Sequence, residues 1–172
     1  MIQHLSFLPI LLPMLAGVLL LMRPFGKNKP LRRLGSVVFS TISFLVSLAL
    51  LLKVQTSGTQ IYAIGDWSAP FGIVLVADPL STLLVCLTTL LGLVITLYAS
   101  AGDDEKGSFF HPLVHFLILG VNGAFLTGDA FNLFVFFEVL LIASYSLLMH
   151  GGDKRNTRAA LQYVIMNLVG SA

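Results

Sequence analysis

The feature of this sequence that most constrains its fold is a succession of uncharged apolar runs, each long enough to cross a bilayer. A helix needs about 20 apolar residues to span the hydrocarbon layer. Of the 172 residues, 56% are hydrophobic and only 10% are charged, whereas a soluble domain carries about 25% charged residues. The sequence therefore excludes a water-soluble globule and predicts an all-α integral membrane protein with a single membrane domain over residues 1–172.

Six apolar runs are predicted to form transmembrane helices, with a short outer β-hairpin between the second and the third. The helices lie at about 5–22, 34–52, 79–100, 112–128, 130–149 and 159–172, and the β-prone runs of the hairpin lie at 60–67 and 72–77. The sixth run is too short to span, and its last carbonyl groups would lie unsatisfied in hydrocarbon. We therefore expect that helix to be incomplete and the chain to be the amino-terminal part of a longer protein.

Two aspartates mark predicted helix starts. Asp78 precedes Pro79, so a carboxylate can accept from free backbone N–H groups and a proline occupies the first turn, where its missing N–H costs nothing. Asp129 alone separates the fourth and fifth runs, which predicts a tight antiparallel pair of helices. The simplest interpretation of Asp129 is a cap on the fifth helix, and a role at an ion entrance is the alternative.

The distribution of basic residues predicts the orientation of the chain. Nine of the ten Lys and Arg residues follow the first, third and fifth helices, and only Lys53 lies on the other side. Basic connectors stay in the cytoplasm, so we expect a multi-pass protein of the cell (inner) membrane, surrounded by lipid, with its amino terminus outside. No footprint of nucleic-acid binding is present. The single Cys86 excludes an intrachain disulfide and a metal cluster built on thiolates.

Glu138 is the acidic residue that points to function. Seven of the eight acidic residues lie in connectors or at helix ends, and Glu138 lies inside the fifth apolar run. A charge at that depth costs about 2.5–3.5 kcal/mol, and burial favours the neutral form of a carboxyl group. Such a group can take up and release a proton, so we predict a buried proton carrier. The alternative is a hydrogen-bonded glutamate that only locks two helices together.

Four further residues are candidates for the same path. Tyr145 shares a helix face with Glu138 and is either a relay or an interfacial anchor. Asn122, at a similar depth on the fourth helix, is a possible partner of Glu138. His111 and His115 are four residues apart, a spacing that can serve a metal ion. With no third ligand of matching type nearby, cytoplasmic proton entry is favoured. No cofactor, metal site or enzymatic motif is predicted.

Serines recur on one face of the second helix, at positions 36, 40, 43 and 47. Steps of four, three and four residues place side chains on a single stripe. Small hydroxyl-bearing residues let helices approach closely, so the stripe predicts helix packing, and a polar transport path is the alternative.

A longer pattern identifies a family. The run 120–145, GVNGAFLTGDAFNLFVFFEVLLIASY, strongly resembles the fourth and fifth helices of the D subunits of Mrp-type multisubunit Na+/H+ antiporters. These are relatives of the antiporter-like, proton-pumping subunits of respiratory complex I. The stretches 65–67 and 78–81, GDW and DPLS, are similar to the outer hairpin and third-helix start of the same subunits. The resemblance covers essentially the whole chain, but only the first six helices of such a subunit.

The resemblance implies a transport role for Glu138, as the glutamate that works opposite a lysine of the family's seventh helix. That lysine has no counterpart among the 172 residues. The implied function is proton exchange for Na+ or another monovalent cation, with other subunits of a hetero-oligomeric complex as partners. Two alternatives remain, namely a proton-pumping membrane subunit of an NADH:quinone oxidoreductase or hydrogenase complex, and a truncated membrane scaffold that transports nothing.

Overall fold

Six α-helices account for most of the chain. The computed structural model describes residues 2–22, 25, 28–66, 72–102, 104, 107–150, 152 and 154–171. The helices are α1 (Leu8–Leu21), α2 (Lys29–Ser57), α3 (Pro79–Ala99), α4 (Phe110–Leu126), α5 (Ala130–Met149) and α6 (Lys154–Ser171), and a 3-10 helix, Ile2–Ser6, precedes α1. The predicted all-α class is confirmed. Among the described residues, three helices, α2, α3 and α5, are long and apolar enough to cross a membrane by length and composition, so six crossings stay a prediction.

The two helices with predicted aspartate caps begin where the sequence places them. The Asp78 carboxylate accepts from the Ser81 N–H at 2.6 Å, and the Ser81 hydroxyl accepts from the Asp78 N–H at 2.9 Å. The Asp129 carboxylate accepts from the N–H groups of Phe131 and Asn132. Each cap satisfies backbone donors that a helix start leaves unpaired, which fixes the starts of α3 and α5.

Helix α2 is longer than the sequence predicts. It has 29 residues and so measures about 44 Å, against a hydrocarbon thickness of about 30 Å. The prediction of 34–52 followed the apolar run alone, but the helix also includes Lys29, Arg32 and Lys53. Charged side chains mark the edge of the hydrocarbon layer and not the end of the helix. For the same reason α6 begins at Lys154 and not at residue 159.

The predicted β-hairpin is present, and its place on the outer side stays a prediction. Strand β1 (Gln60–Ala63) pairs antiparallel with β2 (Val74–Ala77), with Gln60 opposite Ala77. The first strand is shorter than predicted because a 3-10 turn, Ile64–Asp66, follows it, and residues 67–71 lie outside the described part. Strand β2 lies against the α4–α5 turn, where the Gly128 N–H donates to the Val74 carbonyl at 2.8 Å. The hairpin therefore covers that end of the bundle.

Helix α4 packs against three helices, α1, α3 and α5. Helix α2 packs against α1 and α3, and helix α6 packs against α5. Glycines bring α4 and α5 close together, as the predicted tight pair requires. A Cβ atom at Gly120 would lie 2.7 Å from the backbone nitrogen of Leu140, and one at Gly123 would overlap the Phe136 ring. The face of α5 that bears Phe136 and Leu140 is thus the face turned to α4.

The serine stripe of α2 lies inside the helix bundle. All four serines, Ser36, Ser40, Ser43 and Ser47, are buried. The hydroxyl groups of Ser47 and Thr89 are 2.6 Å apart, and the Thr96 hydroxyl donates to Ser40 at 3.3 Å. This arrangement fits the packing interpretation for the α2–α3 interface. Ser36, at the end of the stripe, has different partners.

Candidate functional site

Glu138 lies on the side of α5 that faces away from α4. Successive helical residues are rotated by about 100°, so Glu138 is about 200° round the axis from Phe136, which contacts α4. Its side chain is half-buried, and no hydrogen bond or ion pair joins it to any described residue. The burial expected for Glu138 is therefore not seen, because α4 covers the opposite side of its helix.

Glu138 is surrounded by apolar side chains on an open surface. We call this surface the α5 face and define it as Phe131, Phe134, Glu138, Ile142 and Tyr145. Phe134 is 51% exposed and Ile142 is 61% exposed. Tyr145 packs edge-to-face on Tyr163 of α6, with ring centroids 5.3 Å apart. The α5 face therefore extends along most of α5 and reaches α6 at Tyr145.

Asn122 is directed toward α1. It is fully buried, and its side-chain NH2 group donates to the carbonyl of Pro9 at 2.8 Å. In a regular helix that carbonyl would accept from residue 13, but residue 13 is a proline without an N–H. Asn122 therefore completes the backbone of α1. The structure does not bring Asn122 and Glu138 together, and their pairing stays a prediction. The other side-chain polar atom of Asn122, the buried Oδ1, has no hydrogen-bond partner in the described part of the chain.

His111 and His115 belong to a buried polar group at the opposite end of the bundle from the hairpin. We call that end, where α2 and α4 begin and α3 and α5 end, the basic end. The group, here the His111 cluster, consists of Arg33, Ser36, Asp104, His111 and His115. All of these except Arg33 are at most 1% exposed.

Hydrogen bonds connect the cluster from end to end. Arg33 donates to both carboxylate oxygens of Asp104, with Nε 2.9 Å from Oδ2. His111 Nε2 lies 3.0 Å from Asp104 Oδ2. Ser36 Oγ lies 3.0 Å from His111 Nδ1 and 3.1 Å from His115 Nε2. The cluster thus joins α2, the α3–α4 connector and α4 through two imidazoles and one hydroxyl group.

The charge of Asp104 is settled by these contacts. The Arg33 guanidinium, through its hydrogen bonds to the carboxylate, lowers the pKa of Asp104 from 3.8 to about 2, although burial opposes this effect. Asp104 is therefore a carboxylate at neutral pH and can only accept hydrogen bonds.

The sequence identifies the histidines of this cluster but not the residues that hold them. Both ring nitrogens of His111 are hydrogen-bonded within the cluster, and in the described part of the chain no three His, Cys, Asp or Glu side chains are placed to hold a metal ion. Arg33, Ser36 and Asp104 were missed as site residues. The one signal for Ser36 is its place on the serine stripe.

These features define the class as α-helical, multi-pass membrane proteins, and comparison with known proteins narrows it. The chain is 47% identical over 167 residues, or 96% of its length, to the Na+/H+ antiporter D subunit of Bacillus subtilis (strain 168). The chain is therefore a homologue of the antiporter D subunits and corresponds to their amino-terminal third. It spans about a third of the length of the curated relative, 34%. No family model matches the chain.

Two solved structures share the fold. One, the Mrp complex from Dietzia sp. DQ12-45-1b, contains a chain that superposes with a TM-score of 0.89 and is 28% identical, covering 98% of this chain and 32% of that chain. The other is the membrane-bound sulfane sulfur reductase, an archaeal respiratory membrane complex, with a TM-score of 0.85 and 25% identity over 98% of this chain and 35% of that one. The fold thus occurs in an Mrp complex and in a respiratory complex.

Proposed function

We propose that the chain is the amino-terminal part of a subunit of a monovalent cation/proton antiporter, with Na+ as the cation, and that Glu138 carries the proton. The observation that carries this proposal is that Glu138 is the one acidic residue within the six described helices. It lies in the middle of α5 among apolar side chains. A carboxyl group among apolar side chains is costly in its charged form, and an intramembrane acid of this kind is typical of proton relays.

The open position of Glu138 supports a partner from outside the described helices. A segment packed on the α5 face would exclude water from the carboxyl group and complete its burial. In the family that the chain resembles, a lysine of the seventh helix works opposite this glutamate. An ammonium group nearby favours the carboxylate, and its loss favours the protonated acid. Changes in that charge would drive proton uptake and release by Glu138.

The other predicted residues have supporting roles in this proposal. Tyr145 relays protons along the α5 face toward the basic end, and its contact with Tyr163 holds the ring in place. Asn122 has a structural role in this proposal, because its amide completes α1 and Glu138 lies on the side of α5 that faces away from α4. His111 and His115 admit protons from the cytoplasm. We assign the basic end to the cytoplasmic side and the amino terminus to the outside, in a cell membrane and together with other antiporter subunits.

The test is Glu138→Gln in the full-length subunit, assembled with its native partners in membrane vesicles. Na+-induced proton movement is followed with a pH-sensitive dye. Gln cannot carry a proton, so the exchange rate falls by about 100-fold or more, the range for loss of a positioned acid–base group. Glu105→Gln makes the same chemical change at a position that the sequence places outside the apolar runs, and we expect it to keep normal exchange. Wild-type exchange by Glu138→Gln would refute the role of Glu138.

The similarity to a chain of the sulfane sulfur reductase favours one other candidate, a proton-pumping membrane subunit of a redox complex. Glu138 would have the same chemistry there, but electron transfer would drive it. Purification of the tagged, full-length subunit from its native membranes separates the two. Small membrane subunits without redox centres support the antiporter, and bound subunits with flavin or iron–sulfur absorbance support the redox complex.

A further inference from the structure

We propose that Ser36 joins His115 and His111 into a proton relay that ends at Asp104. The proposal rests on the proposed function, because it supplies the route by which protons reach or leave the membrane interior at the basic end. It assigns a proton-carrying role to a serine of α2 and an anchoring role to an aspartate of the α3–α4 connector.

The partners of Ser36 set it apart from the rest of the serine stripe. Its hydroxyl oxygen lies within hydrogen-bond distance of two imidazole rings, at 3.0 and 3.1 Å. By contrast, the Ser47 hydroxyl donates to carbonyl groups of its own helix, and the buried Ser43 hydroxyl has no partner in the described part of the chain. Among these three serines, Ser36 is therefore the one that links two groups able to bind and release protons.

The hydrogen-bond chemistry fixes the direction of every bond in the neutral cluster. Asp104 is a carboxylate, so His111 must donate to it from Nε2. In the neutral ring Nδ1 is then an acceptor, and the Ser36 hydroxyl must donate to it. The Ser36 oxygen is left to accept, so His115 donates from Nε2. Both histidines are thus Nε2–H tautomers, and the chain of donors points from His115 to Asp104.

This alignment permits a balanced proton transfer. A proton that binds Nδ1 of His115 releases the Nε2 proton to the Ser36 oxygen, and the original Ser36 hydroxyl proton passes to Nδ1 of His111. The product is a His111 imidazolium paired with the Asp104 carboxylate through Nε2–H. Only N–H and O–H bonds form and break. The reverse sequence releases the proton from Nδ1 of His115, about one helical turn deeper along α4.

Of the charges around the relay, the Asp104 carboxylate favours this end point, and the guanidinium groups of Arg32 and Arg33 oppose it. Asp104 is the one carboxylate among the described residues that bonds to the cluster, and its negative charge stabilises an imidazolium at His111. Arg33 on α2 holds that carboxylate in place, while its side chain is 29% exposed at the basic end. Arg32 on α2 is the other charge that faces the cluster, and it acts on His111 and on His150, which follows α5. The His150 ring packs on Phe110, at the start of α4.

The first test reads the tautomers directly, independently of exchange. The full-length subunit in its complex is labelled with 15N-histidine and studied in lipid bilayers by solid-state NMR, and single His variants assign the four rings. We expect Nε2–H tautomers for His111 and His115 at neutral pH. On acidification, His115 switches to the Nδ1–H form in the same step in which His111 gains its second proton. An Nδ1–H tautomer of His115 at neutral pH would overturn the relay.

Ser36→Ala, with two companion variants, tests the bridging hydroxyl. In Ser36→Ala the two rings titrate independently, and exchange slows by about 10-fold or more. Ser36→Thr restores both the coupled switch and the rate, because it restores a hydroxyl group. Ser43→Ala makes the same change seven residues along the same helix face and alters neither. A coupled switch or wild-type exchange in Ser36→Ala refutes the proposal.

The two proposals fail in different ways. If Glu138→Gln exchanges normally while the histidines still switch together, the role of Glu138 is wrong and the relay stands. If Glu138→Gln abolishes exchange while Ser36→Ala exchanges normally, protons enter by another route and the relay is wrong. Should Ser36→Ala fail to fold, the tautomers of the unaltered protein still decide, because only the Nε2–H forms are compatible with the relay.

Discussion

Asp104 is a buried acid and Glu138 is a half-buried acid, and the two have opposite surroundings. Asp104 is enclosed, and a guanidinium and an imidazole of the same chain bond to its carboxylate. Glu138 lies on the open α5 face, and no described residue pairs with it. The described part of the chain thus fixes the charge of Asp104 and places no ionic partner beside Glu138. An acid whose charge must change during transport is best placed where its partner can move, so the comparison supports the proposed roles of Asp104 as an anchor and Glu138 as a carrier.

Asp104→Asn has the largest expected effect on stability. It removes one member of a buried ion pair, which costs about 3–5 kcal/mol when both partners are fully buried. Because Arg33 remains partly exposed, we expect about 3 kcal/mol, the low end of that range. Thermal unfolding in detergent, followed by circular dichroism, measures the loss. A loss no larger than that of Glu138→Gln would remove the distinction between the two acids.

The ion pair of Arg33 and Asp104 also predicts that the stability of the protein depends on pH. The folded-state pKa of Asp104, about 2, lies below the ordinary value of 3.8. The ionised carboxylate therefore stabilises the folded protein above about pH 4, and this contribution is lost as the pH falls toward 2. The difference in Tm between the wild type and Asp104→Asn should accordingly narrow between about pH 4 and pH 2. A difference that stays constant over that interval would contradict the assignment.

Gly120→Ala tests the covered side of α5 and has the next largest effect. The added Cβ would lie 2.7 Å from the backbone nitrogen of Leu140, and a backbone atom cannot turn aside as a side chain can. We expect a loss of about 2 kcal/mol from overpacking, measured by thermal unfolding. Gly170→Ala is the matched control, because its Cβ meets nothing within 4 Å. Equal stability of the two variants would mean that α4 and α5 can separate at no cost.

Asn122→Leu tests whether that amide is a structural partner of α1. It leaves the buried Pro9 carbonyl without a donor, at a cost of about 1–2 kcal/mol in the free energy of unfolding. Pro13→Ala supplies a backbone N–H for the same carbonyl, so Asn122→Leu should cost less in that background. Thermal unfolding of the four proteins of this double-mutant cycle gives the coupling. Additive effects of the two substitutions would show that the Asn122 amide does not stabilise the protein through the Pro9 carbonyl.

Glu138→Gln has the smallest expected effect on stability, although we expect it to abolish exchange. Its side chain is half-buried and pairs with no described residue, so the free energy of unfolding should change by no more than about 0.5 kcal/mol. Unfolding is measured on the same preparations as Asp104→Asn, which makes the same carboxyl-to-amide change. A large loss of stability would mean that Glu138 already has a partner within this part of the chain.

Local signals in the sequence predicted the helices well where a cap was present. Asp78 with Pro79, and Asp129, gave the starts of α3 and α5, because a cap depends on residues adjacent in the chain. The ends of α2 were predicted wrongly, since Arg32 and Lys53 lie within the helix although they are charged. Hydropathy identifies only the apolar part of a helix, whereas the backbone hydrogen bonds of the helix continue beyond that part.

The candidate site was only partly predictable. Glu138 and the two histidines are conspicuous because polar residues are rare in apolar runs. Ser36, the shared partner of His111 and His115, was missed because it lies 75 and 79 residues away from them, and sequence spacing does not set the rotation of one helix against another. The same limit applies to Asn122, because its position along α4 does not reveal that its side chain is directed at α1.

The bond from Asn122 to Pro9 has a consequence for the biogenesis of the protein. The two residues are 113 positions apart, so at about 5–20 residues per second the Pro9 carbonyl waits roughly 6–23 s for its donor to be synthesised. An unpaired carbonyl in hydrocarbon costs several kcal/mol. The backbone of α1 is therefore completed late, only after α4 has been synthesised.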